Sequence, residues 1–185
     1  MKILGNISVS DGAPGADGVD GVDGVDGAAG VAGADGSGYV EKFIQMSCTD
    51  TTTNINIDTV SPASINFSVV DAVSDASDFS NSSGVVTINT AGVYEVYFTI
   101  IIYSLAARAN PYIRVSMNGT MTDITGGTYI RNASNHKRSN SQATGLLTFS
   151  AGDTMSVKSK YSNLWGTTGT VTMLDGTKLI IKKIG

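Results

Sequence analysis

The chain has 185 residues, a formal charge of −4 and one cysteine, Cys48. A single cysteine excludes an internal disulfide, and the longest apolar run, Ile100–Ile102, is far too short to cross a bilayer, so membrane insertion is not expected. Residues 1–38 hold one Lys against six Asp, a net −5, and residues 39–185 hold 11 basic and 10 acidic groups, a net +1. With no basic stripe, nucleic acid is not an expected partner.

Residues 1–10 read MKILGNISVS. Only Ile3 and Leu4 follow Lys2 before Gly5, so the apolar core of an export signal is missing and assembly in a cytoplasm is expected. Ile3, Leu4, Ile7 and Val9 suit an extended anchor peptide that adds to a strand edge on a larger particle. The alternative is a frayed terminus.

Residues 11–38 carry glycine at Gly12, Gly15, Gly18, Gly21, Gly24, Gly27, Gly30, Gly33 and Gly36 without a break. A disordered Gly-rich linker would not hold this phase. Strict three-residue spacing is the mark of a collagen-like triple helix, where only glycine fits beside the common axis. Three chains are therefore implied, in a rod of about 80 Å. The rod is a weak one: Pro14 is its only proline, and Asp17, Asp20, Asp23, Asp26 and Asp35 repel with no Lys or Arg among them. Another segment must hold the trimer together.

From Tyr39 onward Thr, Ser, Asn, Val and Ile dominate, and no segment has helical periodicity. The predicted strands are Val40–Ser47, Asn54–Thr59, Ser64–Val70, Val85–Asn89, Gly92–Leu105, Tyr112–Met117, Gly127–Arg131, Thr144–Ser150, Thr154–Tyr161 and Thr170–Lys183, separated by turns such as Ala91-Gly92, Asn118-Gly119 and Asp175-Gly176. About ten short strands predict an all-β sandwich or jelly roll. Cys48 reads as a half-buried small apolar residue at the first strand.

The long strand GVYEVYFTIIIYSL places Tyr94, Val96, Phe98, Ile100 and Ile102 on one face, the predicted core. Its other face, with Tyr97, Thr99, Ile101 and Tyr103, is too apolar for water. Neighbouring subunits or an overlying loop of the same chain would cover it; in a three-chain molecule the subunit interface is the stronger expectation.

Four stretches in order, INTAGVYEVYFTI (88–100), YIRVSMNG (112–119), ATGLLTFSAGDTMSVKS (143–159) and TKLIIKKIG (177–185), resemble the complement component 1q and tumour necrosis factor superfamily. The resemblance implies a ten-stranded jelly-roll head that forms a homotrimer on a three-fold axis and nucleates the stalk. With a collagen-like repeat upstream and no export signal, the chain looks like bacteriophage head fibres, spikes and tail fibres, and like the spore-surface filament proteins of bacilli. Residues 39–59 would be a neck with the first strand, and residues 60–185 the head.

No catalytic constellation is present, and an enzyme is not expected. His136 is the only histidine and has no partner motif with Cys48. No cofactor is implied; calcium, which some relatives of this resemblance bind, stays an open option at Asp71, Asp75, Asp78 and Asp123, though no spaced loop of oxygen ligands stands out. The segment Thr122–Ser141 holds Tyr129, Arg131, Asn132, His136, Lys137 and Arg138, a mixture suited to a host-surface glycan or an acidic polymer. An ordinary solvated loop is the alternative. The expectation is a virion-surface fibre, assembled in the host cytoplasm, bound by its N-terminus to a capsid or other base protein. Its head would adhere to a host surface glycan or protein, or decorate the capsid. The alternative is a bacterial surface- or spore-displayed collagen-like adhesin or signalling ligand.

Overall fold

The computed structural model describes residues 10–30, 40–49, 54–56, 62–106, 108–131, 135–161 and 169–185. Backbone contacts divide the chain into two units, Met1–Gly38 and Tyr39–Gly185. In the first unit, residues 10–30 are exposed throughout and form neither helix nor strand. Nothing lies within 4 Å of a Cβ built at Gly12, Gly15, Gly18, Gly21, Gly24, Gly27 or Gly30, and none of these has a positive φ. Within one chain, neither packing nor backbone conformation demands glycine there. Gly33 and Gly36 lie outside the described residues, as do Ile3, Leu4, Ile7 and Val9.

Among its described residues the second unit holds thirteen strands and no helix. They are β1 Phe43–Ser47, β2 Asn54–Asn56, β3 Ala63–Ser64, β4 Val69–Val73, β5 Phe79–Ser82, β6 Val85–Ile88, β7 Gly92–Tyr103, β8 Pro111–Met117, β9 Thr120–Gly127, β10 Arg138–Phe149, β11 Asp153–Tyr161, β12 Thr170–Met173 and β13 Lys178–Lys183. One sheet runs β2-β12-β7-β13-β1-β4, with β10 paired along the other side of β7; the second runs β5-β6-β11-β8-β9, with β3 on β11. Every pairing is antiparallel.

The alternation in β7 decides the packing. Tyr94, Val96, Phe98, Ile100 and Ile102 are all fully buried, and each such side chain contributes about 1.5–3 kcal/mol of hydrophobic burial. They meet Ile113, Val115, Met155 and Val157 in one cluster with residues of both sheets. The Tyr94 ring stands between Phe79 and Phe149 at centroid distances of 6.2 and 5.7 Å, nearly perpendicular to both. Its hydroxyl donates to the Thr90 carbonyl at 2.7 Å, which removes the cost of burying the phenol.

Four expected strands need correction, and one strand, β5, was not expected. The stretch Ser64–Val70 is two strands, β3 and β4, in different sheets. The polar β5 had no apolar alternation to reveal it; it exists because it pairs with β6 from Phe79↔Ile88 to Ser82↔Val85. The strand expected at Gly127–Arg131 lies earlier, at Thr120–Gly127. Asn118 and Gly119 both have positive φ (49° and 83°), the two-residue reversal that starts a return strand at once. Next, β10 begins at Arg138 rather than Thr144, because it follows β7 over its whole length. Finally, Thr170–Lys183 is broken into β12 and β13 by the Asp175-Gly176 turn, with Gly176 at φ 91°. Cys48 is buried, not half-buried, and sits just past β1 with its amide donating to the Thr177 carbonyl at 3.2 Å.

Candidate functional site

Two surfaces of the head collect the residues singled out above. The first is the outer face of β7. Tyr97, Thr99, Ile101 and Tyr103 are all half-buried. Register fixes their neighbours: Tyr97 lies between Ile180 and Thr144, Thr99 between Lys178 and Gln142, and Tyr103 between Thr172 and Arg138. Leu146, beside Glu95, is 60% exposed. An apolar strip, Tyr97–Ile180–Ile101–Tyr103, thus lies on this sheet with polar β10 residues along one flank. It is open to solvent only in part, as its alternating positions require when both faces of β7 are apolar.

At the far end of this strip the β12–β13 turn folds against β7. Leu174 N–H donates to the Ile101 carbonyl at 2.9 Å, and Ile101 N–H donates to Thr177 Oγ1 at 3.0 Å. These bonds serve the β7 backbone where the ladder to β13 stops. Ile101, Leu174, Asp175 and Arg138 then line an open depression. Arg138 and Ile101, expected in separate sites, are brought to the same one.

The second surface is the β9–β10 connection. The expected loop Thr122–Ser141 is shorter than that: Thr122–Gly127 belong to β9 and Arg138–Ser141 to β10. The connection is anchored by Ile130, which is buried and exchanges two backbone hydrogen bonds with Ala109 at 2.9 and 2.8 Å. Arg131 forms a bridge with His136, and Asn135, next to His136, is left-handed (φ 61°), a conformation asparagine tolerates. Lys137 C=O accepts from Ser104 N–H at 3.0 Å. Tyr129 is 46% exposed, Arg131, His136 and Arg138 are exposed, and Asn132 lies outside the described residues. Extending the Ala109↔Ile130 pairing by one step sets Arg108 beside Arg131. Arg108, alone in the stretch AARAN, carried no local signal.

The opposite end of the head is tied down by carboxylates. Lys42, Asp78 and Thr90 form a part-buried cluster there. The Lys42 hydrogen bond, with that of Thr90, holds the Asp78 carboxyl below its ordinary pKa. Asp75 is likewise held down by hydrogen bonds from Ser77, and Asp153 by Asn118 and the Ser150 amide. Asp71 accepts from Ser47 at 2.8 Å and Gln45 at 3.4 Å. These carboxylates fasten turns and strands. Among the described residues no group of three or more His, Cys, Asp or Glu is placed to hold a metal. No described helix is long and apolar enough to cross a membrane.

No protein-family profile matches the sequence, and a search of curated proteins returns no match. Solved structures do match. Murine APRIL at pH 5.0 aligns with a TM-score of 0.56 at 10% identity, over 78% of this chain and 99% of its own. Eiger TNF from S. frugiperda aligns with a TM-score of 0.55 at 13% identity, over 80% of this chain and 94% of its own. The head is a tumour-necrosis-factor-like jelly roll. At these identities the likeness speaks for the fold alone. In this TNF-like head, β7 forms the long central strand of one sheet, and the basic connection lies at the end away from Lys42.

Proposed function

We propose that the protein is a homotrimeric fibre: a collagen-like stalk carrying a TNF-like adhesive head, attached by its N-terminus to a virion. The observation that carries this reading is the glycine frame. Nine triplets keep phase, yet the seven described glycines of this frame, Gly12 to Gly30, have open space around them and no left-handed φ. Selection for glycine every third residue then acts through contacts between chains, as at the axis of a triple helix. The half-buried apolar strip at Tyr97, Thr99, Ile101 and Tyr103 supplies a face for subunit contact. A head that trimerises would bring three stalk segments together and offset their aspartate repulsion.

In this reading the basic connection at Arg131, His136, Lys137 and Arg138 meets the host surface. Three copies raise avidity even when each contact is weak. Residues 1–10 dock on a capsid or other base protein. The test is deletion of residues 1–10 followed by purification of particles. Loss of the fibre from particles, with the free trimer intact, supports the reading; equal retention overturns the anchor. A second reading, a surface-displayed adhesin or signalling ligand, is favoured by the fold likeness to a TNF protein. Free trimers in culture medium, with none on particles, would favour that reading.

A further inference from the structure

The outer face of the smaller sheet carries charge that neither surface described above uses. In one row across four strands stand Ser64 on β3, Lys158 on β11, Arg114 on β8 and Thr125 on β9. The next row sets Lys160 opposite Tyr112, and the row on the other side sets Ser156 opposite Ser116. Lys158 and Arg114 are like charges directly across a ladder, with Cβ atoms about 5 Å apart, an arrangement that destabilises a sheet. Lys160 repeats the charge about 7 Å along the strand. Among the described residues no carboxylate forms an ion pair with any of the three.

Arg114 is fixed by aromatic contact instead. Its guanidinium lies 5.0 Å over the Tyr112 ring, and one terminal nitrogen donates to Tyr112 Oη at 3.2 Å. A Thr125 hydrogen bond, together with Arg114, holds the Tyr112 hydroxyl below its usual pKa; Asp123 opposes this through space. Two polar atoms of this face, Arg114 Nε and Ser116 Oγ, are buried with no hydrogen-bond partner. Such orphans are rare in folded proteins and mark an unmet requirement. Orphans also occur at Asn81, Ser141 and Ser159, but on this face they stand beside uncompensated like charges across a ladder, a local inconsistency of the kind binding sites show.

We infer that this face, Arg114, Lys158 and Lys160 with Tyr112, binds an acidic polysaccharide through its carboxylates. The fork of a stacked arginine is pre-organised for a carboxylate. Hydroxyls of Ser64 and Thr125 flank the cations in the same row, which suits a polymer rich in hydroxyls and sparse in charge. The head, with 11 basic and 10 acidic groups, presents a short row of cations here rather than the long basic stripe that a nucleic-acid backbone needs. The inference goes beyond the fibre reading and does not depend on the stalk or the trimer.

The full chain is passed over immobilised polygalacturonate, with neutral dextran as reference and polyphosphate and duplex DNA as competitors. Wild type binds polygalacturonate and not dextran. The Lys158→Gln/Lys160→Gln variant weakens binding about tenfold or more, whereas Lys182→Gln, which removes a cation paired with Glu41 on the other sheet, changes it less than about twofold. Arg114→Lys, which keeps the charge but loses the fork, weakens it several-fold with melting temperature unchanged; it carries the test if the double variant melts early. Equal binding by wild type and both face variants, equal retention on dextran, or stronger competition by polyphosphate or DNA than by free polygalacturonate overturns the inference.

Discussion

Replacing Lys42 with Met tests how the end of the head around Asp78 is held. Lys42 Nζ pairs with Asp78 Oδ1, and Thr90 Oγ1 donates to the same oxygen at 2.6 Å. Asp78 is only 5% exposed. Its backbone accepts from Asn89 N–H at 2.9 Å and donates to the Asp75 carbonyl at 3.1 Å, so the cluster joins the β4–β5 turn to the β6–β7 turn. Methionine keeps the apolar stem and removes the charge. Stranding one member of a fully buried pair costs about 3–5 kcal/mol. The Lys42 side chain is 28% exposed, so water reaches the orphaned carboxylate, and the expected loss is about 2 kcal/mol. Lys42→Met/Asp78→Asn buries no charge and should recover about half of it. Urea unfolding followed by far-ultraviolet circular dichroism, at one fixed protein concentration, measures both. A Lys42→Met loss below about 0.5 kcal/mol, or a double variant less stable than the single one, would refute the reasoning. The pH dependence has a definite sign. The folded Asp78 pKa is depressed, so its stabilisation is complete above the ordinary carboxylate value of about 3.9 and fades as pH falls through the lower folded value. The gap between wild type and Lys42→Met should therefore narrow in acid.

Three further outcomes follow from the same geometry. Gly84→Ala places a Cβ 2.5 Å from the Ile65 carbonyl oxygen and 2.9 Å from Asn66 Cα, at φ +78°. Backbone cannot yield there, so thermal melting should show a loss of about 2–4 kcal/mol, well above that of a left-handed residue alone. Tyr97→Asp/Ile101→Asp puts charge on the half-buried strip and should release monomers in sedimentation while keeping the β-sheet dichroism of the head. Gly24→Ala meets nothing within 4 Å in a single chain, yet should lower the melting of the triple-helical dichroism signal while the head transition stays in place.

The core of the head was readable because β7 alternates without a break and its period-2 pattern names the buried residues one by one. The all-β class was readable from the same composition of Thr, Val, Ile and turn residues. What escaped was set by register between distant segments. Polar β5 is a strand only because β6 lies beside it, and β10 gains six residues before Thr144 because β7 extends that far. Arg138 falls within the expected loop Thr122–Ser141, but its place opposite Tyr103 puts it on the β7 outer face. The row Lys158–Arg114 was invisible for the same reason: the residues are 44 positions apart in the chain and adjacent only in the sheet. The Asn118-Gly119 turn was legible, and the strand after it followed from the turn geometry rather than from apolar alternation.

The most direct measurement is sedimentation equilibrium of the full chain in buffer of physiological ionic strength. The account predicts a particle of three 19.1 kDa chains that persists on dilution to the micromolar range. A single 19.1 kDa species at every concentration would contradict it.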